Sequence, residues 1–536
     1  MTTLEIYDTN LRDGTQQEGI SLTAGDKLAI SRLLDELGVA YVEGGWPGAN
    51  PKDDEFFQRA RSELDFTTAT LVAFGSTRRA GRPAASDAQL AALVAAETEV
   101  ICLVGKTWDY HVEHALRTNL QEAVAMIGDS VEYLRSVDRR VFFDAEHFFD
   151  GYRANPEFAL DTLRAAHESG AERLVLCDTN GGTLPHEVDR VIREVAVALP
   201  GAALGCHFHN DAGTAVANSL TAATAGITQI QGCINGYGER TGNADLCSVI
   251  PNVSLKMGYT SIPEDRLSHL TRVSHHIAEI VNLTLDEHLP YVGVSAFTHK
   301  AGLHTSALAR RPDAYEHLSP DSVGNSTRTV VSELAGRSTI LAKAQDTGLE
   351  LSAEEAQAVV DRIKKLEHDG YHFEAADGSF ELLVREAQGW TQPFFSLESY
   401  RVFVENRDGE VVAEATVKVH VGSERIVTTR EGDGPVAAID LALRAALAHM
   451  YPQVARIHLT DYRVRDLDSS DGTAARVRVL CQHSDVDGSW GTIGVHQNII
   501  DASWRAVCDG IVVGLIRANG AGNGHSTDGP GGESRV

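Results

Sequence analysis

Over roughly its first 240 residues the chain alternates eight times between a short apolar run and a longer segment of helical periodicity, a rhythm few folds can accommodate. The apolar runs fall at 4–7, 41–43, 70–74, 100–104, 140–143, 174–177, 203–206 and 229–234. Between them, segments such as 23–37 and 156–169 carry apolar residues at helical spacing. Eight such units in this length match an α/β fold of the closed (β/α)8 TIM-barrel type. A doubly wound open sheet is the alternative, but it predicts a single ligand crevice. Here polar side chains follow nearly every run: Asp13, Glu43, Glu146, Thr179, His207, His209 and Asn235. A barrel gathers such residues on one face.

At 536 residues the chain exceeds one ordinary domain. The alternation predicts a barrel over 1–260. From 261 to 390 the pattern turns mainly helical, and Ser352-Ala353-Glu354-Glu355 reads as a capping box opening a helix that runs towards Glu367. From 391 to 517 strand-like alternation, as in Thr416-Val417-Lys418-Val419-His420-Val421, mixes with a helix after Gly432-Asp433-Gly434-Pro435, predicting a separate α+β domain. Residues 518–536 are rich in Gly, Ser and Asp and read as a disordered tail. No internal repeat is visible beyond the βα alternation.

Charge narrows the partners. With 47 basic against 75 acidic residues the net charge is −28, which disfavours nucleic acid and anionic membranes. An anionic small molecule therefore needs a local basic pocket or a metal. The seven cysteines are scattered without paired-thiol spacing and read as reduced and buried. No apolar run approaches the roughly 20 residues of a membrane span, and the first strand begins too early for a signal peptide. A cytoplasmic location is expected.

The chemistry concentrates in two stretches. Residues two apart on a strand face the same way, so His207 and His209 present two imidazoles to one side. Asp13 follows the first run, and strands one and seven of a closed barrel are separated only by strand eight. Two histidines and a carboxylate suit a divalent ion with open coordination positions, Mg²⁺ or Mn²⁺, with Zn²⁺ also compatible.

Leu11-Arg12-Asp13-Gly14, Glu146, His207-Phe208-His209-Asn210-Asp211 and Gly238-Glu239-Arg240-x-Gly242-Asn243 together resemble the barrel metal-dependent acyltransferases. That family includes the 2-isopropylmalate, homocitrate and citramalate synthases. Beyond the barrel, Phe297-Thr298-His299-Lys300-Ala301-Gly302-Leu303-His304 and Ser332–338 are similar to its helical accessory segment. Gly432-Asp433-Gly434-Pro435-Val436 and the run 498–504 are similar to its C-terminal regulatory domain. The runs 43–53 and 144–151 resemble the long citramalate synthases most.

The resemblance implies condensation of acetyl-CoA with pyruvate and water to (R)-citramalate and CoA, the first step of a threonine-independent isoleucine pathway, inhibited by isoleucine. Another acceptor, as in 2-isopropylmalate or homocitrate synthesis, is the alternative. It implies Asp13, His207 and His209 as metal ligands, with Asn243 as a further one, and Arg12, Gln16, Glu43 and Thr179 as substrate-binding residues. Arg12 would also stabilise the developing alkoxide. Glu146 and His304, with Tyr315, are the implied acid–base residues. Asn235, Gly236 and Gly238 are implied to line the CoA side, and Gly432, Asp433 and Gly434 the regulatory site. A homodimer with the active site completed in trans is implied as well. The plainer reading of Arg12 is an ion pair with Glu43 or Asp8, and of Glu146 an ion pair with Arg12. One departure is Thr15, where many members carry glutamate, so no carboxylate role transfers there.

Overall fold

The eight runs close on themselves. In the computed structural model, parallel strands β1 (Glu5–Asp8), β2 (Tyr41–Gly45), β3 (Thr70–Ser76), β4 (Val100–Lys106), β5 (Arg140–Glu146), β6 (Arg173–Asp178), β7 (Leu204–Phe208) and β8 (Gln229–Gly232) form a barrel in sequence order. Closure comes from β8 pairing with β1, from Glu5↔Gln229 to Asp8↔Gly232. The structure describes residues 2–299, 304, 307–308, 310–329, 336–346, 348–407, 409–467 and 476–521.

Strand alternation divides the core in two. One set of side chains, including Tyr7, Tyr41, Phe74, Cys102 and Phe142, packs together inside the barrel. The other set, including Ile6, Val42, Ile101 and Phe143, packs with the surrounding helices. The first helix, α1 (Ala24–Leu37), starts on a capping box between Thr23 and Asp26. It stops at Gly38, whose φ of 91° and a Cβ that would fall 2.5 Å from Pro263 both demand glycine.

The first seven strands all outrun the expected C-terminal ends, β5 furthest, to Glu146, while β8 stops at Gly232 rather than 234. There Cys233 leaves β1 to bridge Asp245, and Asn235 turns the chain with a φ of 65°. The expected helical stretch also differs in part. Helices occupy Leu270–Val281, Arg337–Asp346, Ala353–His368 and Asp377–Ala387. From 282 to 329 the described residues form turns, 3-10 pieces, helical residues at 304 and 307–308, and a ladder between Thr298–His299 and Arg328–Thr329. Pro290, Gly293, Pro312 and Pro320 punctuate this stretch and interrupt any long helix.

The chain forms two units, one of Met1–Phe297 with Leu318–Thr327, the other of Thr298–His317 with the chain from Arg328. In the second unit, β9 (Ser396–Arg407), β10 (Glu410–Val421) and β11 (Glu424–Gly432) precede helix α2 (Pro435–Leu447). Then β12 (His458–Asp466), β13 (Val477–Asp485) and β14 (Gly488–His496) precede α3 (Ile499–Ala521). Each is a three-stranded antiparallel sheet followed by a helix. Each has a register shift early in its first strand, between Leu397 and Ser399 and between Leu459 and Asp461. This is an internal repeat that the sequence did not reveal.

Helices Ala353–His368 and Asp377–Ala387 share an apolar cluster with Ile493 and Val495 of β14, so the segment before 390 and the one after it are bound into one core. Helix α3 continues to Ala521, three residues past the expected start of a tail and into its fourth; residues 522–536 of that expectation lie outside the described residues. All seven cysteines are free, and six are buried. Among the described residues no helix is long and apolar enough to cross a membrane.

Candidate active site

The chain leaving β1 folds tightly over the barrel mouth. The N–H groups of Arg12 and Gly14 donate to the carbonyl of Thr9 at 3.1 and 3.0 Å, and Thr15 Oγ1 donates to the carbonyl of Arg12 at 2.7 Å. Thr15 therefore closes the turn. Asn10 clamps this turn to the end of β8: its Oδ1 accepts from Ile234 N at 2.7 Å and its Nδ2 donates to Ile234 O at 3.1 Å.

The turn delivers Asp13 to the end of β7. His207 Nε2 and His209 Nε2 lie 3.5 and 3.8 Å from Asp13 Oδ2, so the alternation argument and the strand-one-to-seven argument both bring the three together. All three are buried. One ligand atom from each lies within 4.8 Å of the others. Burial disfavours the charge on Asp13, but Arg12 and the two histidines hold its carboxyl well below the usual carboxylate range. Burial, aided by His207, pushes His209 down to about 4, so its ring is neutral near pH 7 and keeps a lone pair. Asp13 Oδ1 and Asn243 Oδ1 are buried acceptors with no hydrogen-bond partner. Asn243 pairs with His209 in a backbone bridge and anchors its Nδ2 on Tyr237 O at 2.9 Å. Two imidazoles and unsatisfied buried oxygens fit a divalent cation.

Arg12 confirms its plainer reading and exceeds it. Its Nε donates to Glu43 Oε2 at 2.5 Å, its Nη1 to Asp13 Oδ2 at 2.9 Å, and its guanidinium lies 3.9 Å from the Phe74 ring centroid. It nonetheless lines the cavity above the ligand set. Glu43 does not: it is fully buried, accepts from Tyr7 Oη at 2.7 Å, and fixes Arg12 from below. The expectation that Glu43 contacts substrate is corrected accordingly.

The cavity holds about 720 Å³ and includes Gln16, Glu146 and Thr179 beside the ligand set. Glu146 Oε2 pairs with Lys106 Nζ at 2.5 Å rather than with Arg12. Thr179 Oγ1 accepts from His147 N at 2.9 Å, which leaves its own proton to give. Away from the ligand set the cavity extends to Arg78 and Arg79 after β3 and to Ala115 and Leu116 after β4.

Asn235, Gly236 and Gly238 do not line this cavity, contrary to the CoA-side expectation. The amide of Asn235 is occupied by Ser274 O at 2.9 Å and Ser274 Oγ at 2.6 Å. Gly238 (φ 147°) sits where a Cβ would lie 2.3 Å from Asn243 Nδ2, so this turn shapes Asn243 instead.

Three residues escaped sequence reasoning. Lys106 ends β4, Asp144 lies two residues before the end of β5, and Gln231 on β8 neighbours His207. Period-two spacing could have found them: Lys106 follows Val104, and Asp144 precedes Glu146 on the same face. Burial raises the Asp144 carboxyl, with His207 and Arg12 pulling it back.

His304 and Tyr315 belong to the second unit, where their rings stack at 4.1 Å. Lys300–Leu303 of the same motif, and residues 332–335, lie outside the described residues. Gly432, Asp433 and Gly434 lead from β11 into α2, with Gly434 as its N-cap and Asp433 exposed.

Residues 3–277 match the HMGL-like family, 291–370 the homocitrate synthase post-HMGL domain-like family, and 374–515 the LeuA allosteric (dimerisation) domain. The (R)-citramalate synthase of Streptomyces coelicolor is 54% identical, covering 96% of this chain and 97% of its own. That of Aquifex aeolicus is 48% identical, covering 96% of this chain and 98% of its own. Among solved structures, the HMG-CoA lyase of Bacillus subtilis aligns over 53% of this chain and 96% of its own, at 20% identity and a TM-score of 0.46.

Proposed function

Because the chain belongs to the citramalate synthase family of HMGL-like barrels, we propose that it joins the acetyl methyl of acetyl-CoA to the keto carbon of pyruvate, and that water then cleaves the thioester to release (R)-citramalate and CoA. The observation that carries the chemistry is the convergence of Asp13, His207 and His209 with Arg12 and Glu146 in one cavity.

Asp13, His207 and His209, with Asn243 Oδ1 as a further oxygen, would hold a divalent cation, which would supply Lewis-acid polarisation of the ketone. The protein does the rest. Arg12 spends Nε and Nη1 on Glu43 and Asp13, which locks its plane and leaves further N–H donors for the oxygen that gains charge. Thr179 Oγ1 donates to the pyruvate carboxylate, and Gln16 closes the same wall. Glu146, ion-paired with Lys106, removes the methyl proton. His304 and Tyr315 complete the site on the barrel of a partner subunit. The part of the cavity lined by Arg79, Ala115 and Leu116 takes the thioester end of acetyl-CoA, with apolar side chains and a guanidinium in its wall.

CoA release from acetyl-CoA with a panel of 2-keto acids tests this. Strong preference for pyruvate is expected; preference for 2-ketoisovalerate would replace the acceptor, and no release with any acid and Mn²⁺ present would overturn the condensation itself.

The allosteric dimerisation domain supports the further proposal that isoleucine is sensed through Gly432-Asp433-Gly434, in an enzyme that acts at the entry to isoleucine synthesis and in the cytoplasm. Deleting everything after about residue 390 should abolish inhibition. It also strips Ile493 and Val495 from a core that the preceding helices share. Asp433→Ala is therefore the cleaner test: turnover should persist while the isoleucine concentration for half-inhibition rises about tenfold, some 1.4 kcal/mol of lost binding. An unchanged isoleucine response would remove Asp433 from the effector site.

A further inference from the structure

Metal ligation through Nε2 requires the proton of a neutral imidazole to sit on Nδ1, and something must keep it there. At His207 that partner is Gln231. The two residues face each other across the β7–β8 ladder, and His207 Nδ1 lies 2.9 Å from Gln231 Oε1. An amide is ambivalent, however. Turned over, it would offer N–H to Nδ1, drive the ring proton to Nε2, and block ligation. The other end of Gln231 decides the matter. Its Nε2 donates to Asp144 Oδ1 at 3.0 Å, from β5 across the barrel interior. A carboxylate accepts only, so Asp144 fixes which way the amide points.

Resting on the metal reading above, we infer that Asp144 and Gln231 are positioning residues: an acceptor-only carboxylate orients a buried amide, which selects the ligating tautomer of His207. The chain Asp144–Gln231–His207 runs through the barrel core, where Gln231 is fully buried and Asp144 nearly so. Its logic differs from that of Asp13, which meets His207 at the opposite nitrogen.

The test is Mn²⁺ binding to full-length protein stripped with chelator, read as free Mn²⁺ by EPR, with thermal unfolding of the metal-free proteins alongside. Gln231→Leu keeps side-chain bulk and removes both hydrogen bonds; Mn²⁺ affinity should fall about 10- to 100-fold. Asp144→Asn lets the amide turn over and should show a smaller loss. Gln229→Leu is the control: that residue is equally buried two positions earlier on β8, but its amide serves Glu5 at 3.3 Å, so Mn²⁺ affinity should hold. Wild-type affinity in both Gln231→Leu and Asp144→Asn, or an equal loss in Gln229→Leu, would overturn the inference. A wild-type protein that binds no Mn²⁺ would instead overturn the metal reading on which it rests. Should Gln231→Leu fail to fold, Asp144→Asn alone decides between these outcomes.

Discussion

Asp13→Asn should release CoA at least about 10³-fold more slowly than wild type, because about 4 kcal/mol of transition-state stabilisation is lost with the one carboxylate of the proposed ligand set. The substitution keeps the shape of the side chain, and its surroundings tolerate the lost charge. Arg12 retains Glu43, and His207 retains Gln231. The unfolding temperature of the metal-free protein should consequently stay close to wild type. Chelation supplies the matching experiment. Stripped wild-type enzyme should drop to the same low rate and recover with Mn²⁺, whereas Asp13→Asn should not recover. A variant that keeps more than a tenth of wild-type turnover would show that Asp13 is an ion-pair partner of Arg12 and not a ligand.

The reason this site could be read from sequence is geometric. Barrel strands are short, parallel and consecutive, so a residue's place after a run fixes its place on the mouth, and period two fixes its face. That sufficed for Asp13, His207, His209, Thr179 and Glu146. It failed where the partner lies on another strand and not along the same one. Nothing in the order of residues shows that Glu146 pairs with Lys106, or that Asp144 meets Gln231, 87 positions away. It failed again at Asn235, where a strand end became a turn and the amide was spent on Ser274. The sheet–helix repeat of the second unit is hidden for another reason. Antiparallel strands need only alternate apolar and polar residues, so two copies can share ladders and bulges while their side chains diverge.

Mixing two dead enzymes should restore activity. Glu146→Gln lacks the proposed base, and His304→Ala lacks a group carried by the other unit; each alone should fall about 10²- to 10⁴-fold. If each barrel is completed by the segment of its partner, a hybrid dimer holds one site with both lesions and one with neither. Random reassortment makes half the dimers hybrid, so activity should return to about a quarter of wild type. The motive lies in the composition of the barrel cavity. Among its described lining residues the only histidines are 207 and 209, both committed to the ligand set, so the barrel offers Glu146 but no further imidazole. His304, stacked on Tyr315 and only partly buried, is such a group. Two controls separate sharing from chance. Glu146→Gln with Asp13→Asn places both lesions in barrels, and His304→Ala with Tyr315→Phe places both in segments; neither mixture should recover, since every hybrid site keeps one lesion. If the Glu146→Gln and His304→Ala mixture also stays at the level of its parents, His304 serves its own chain's barrel or none.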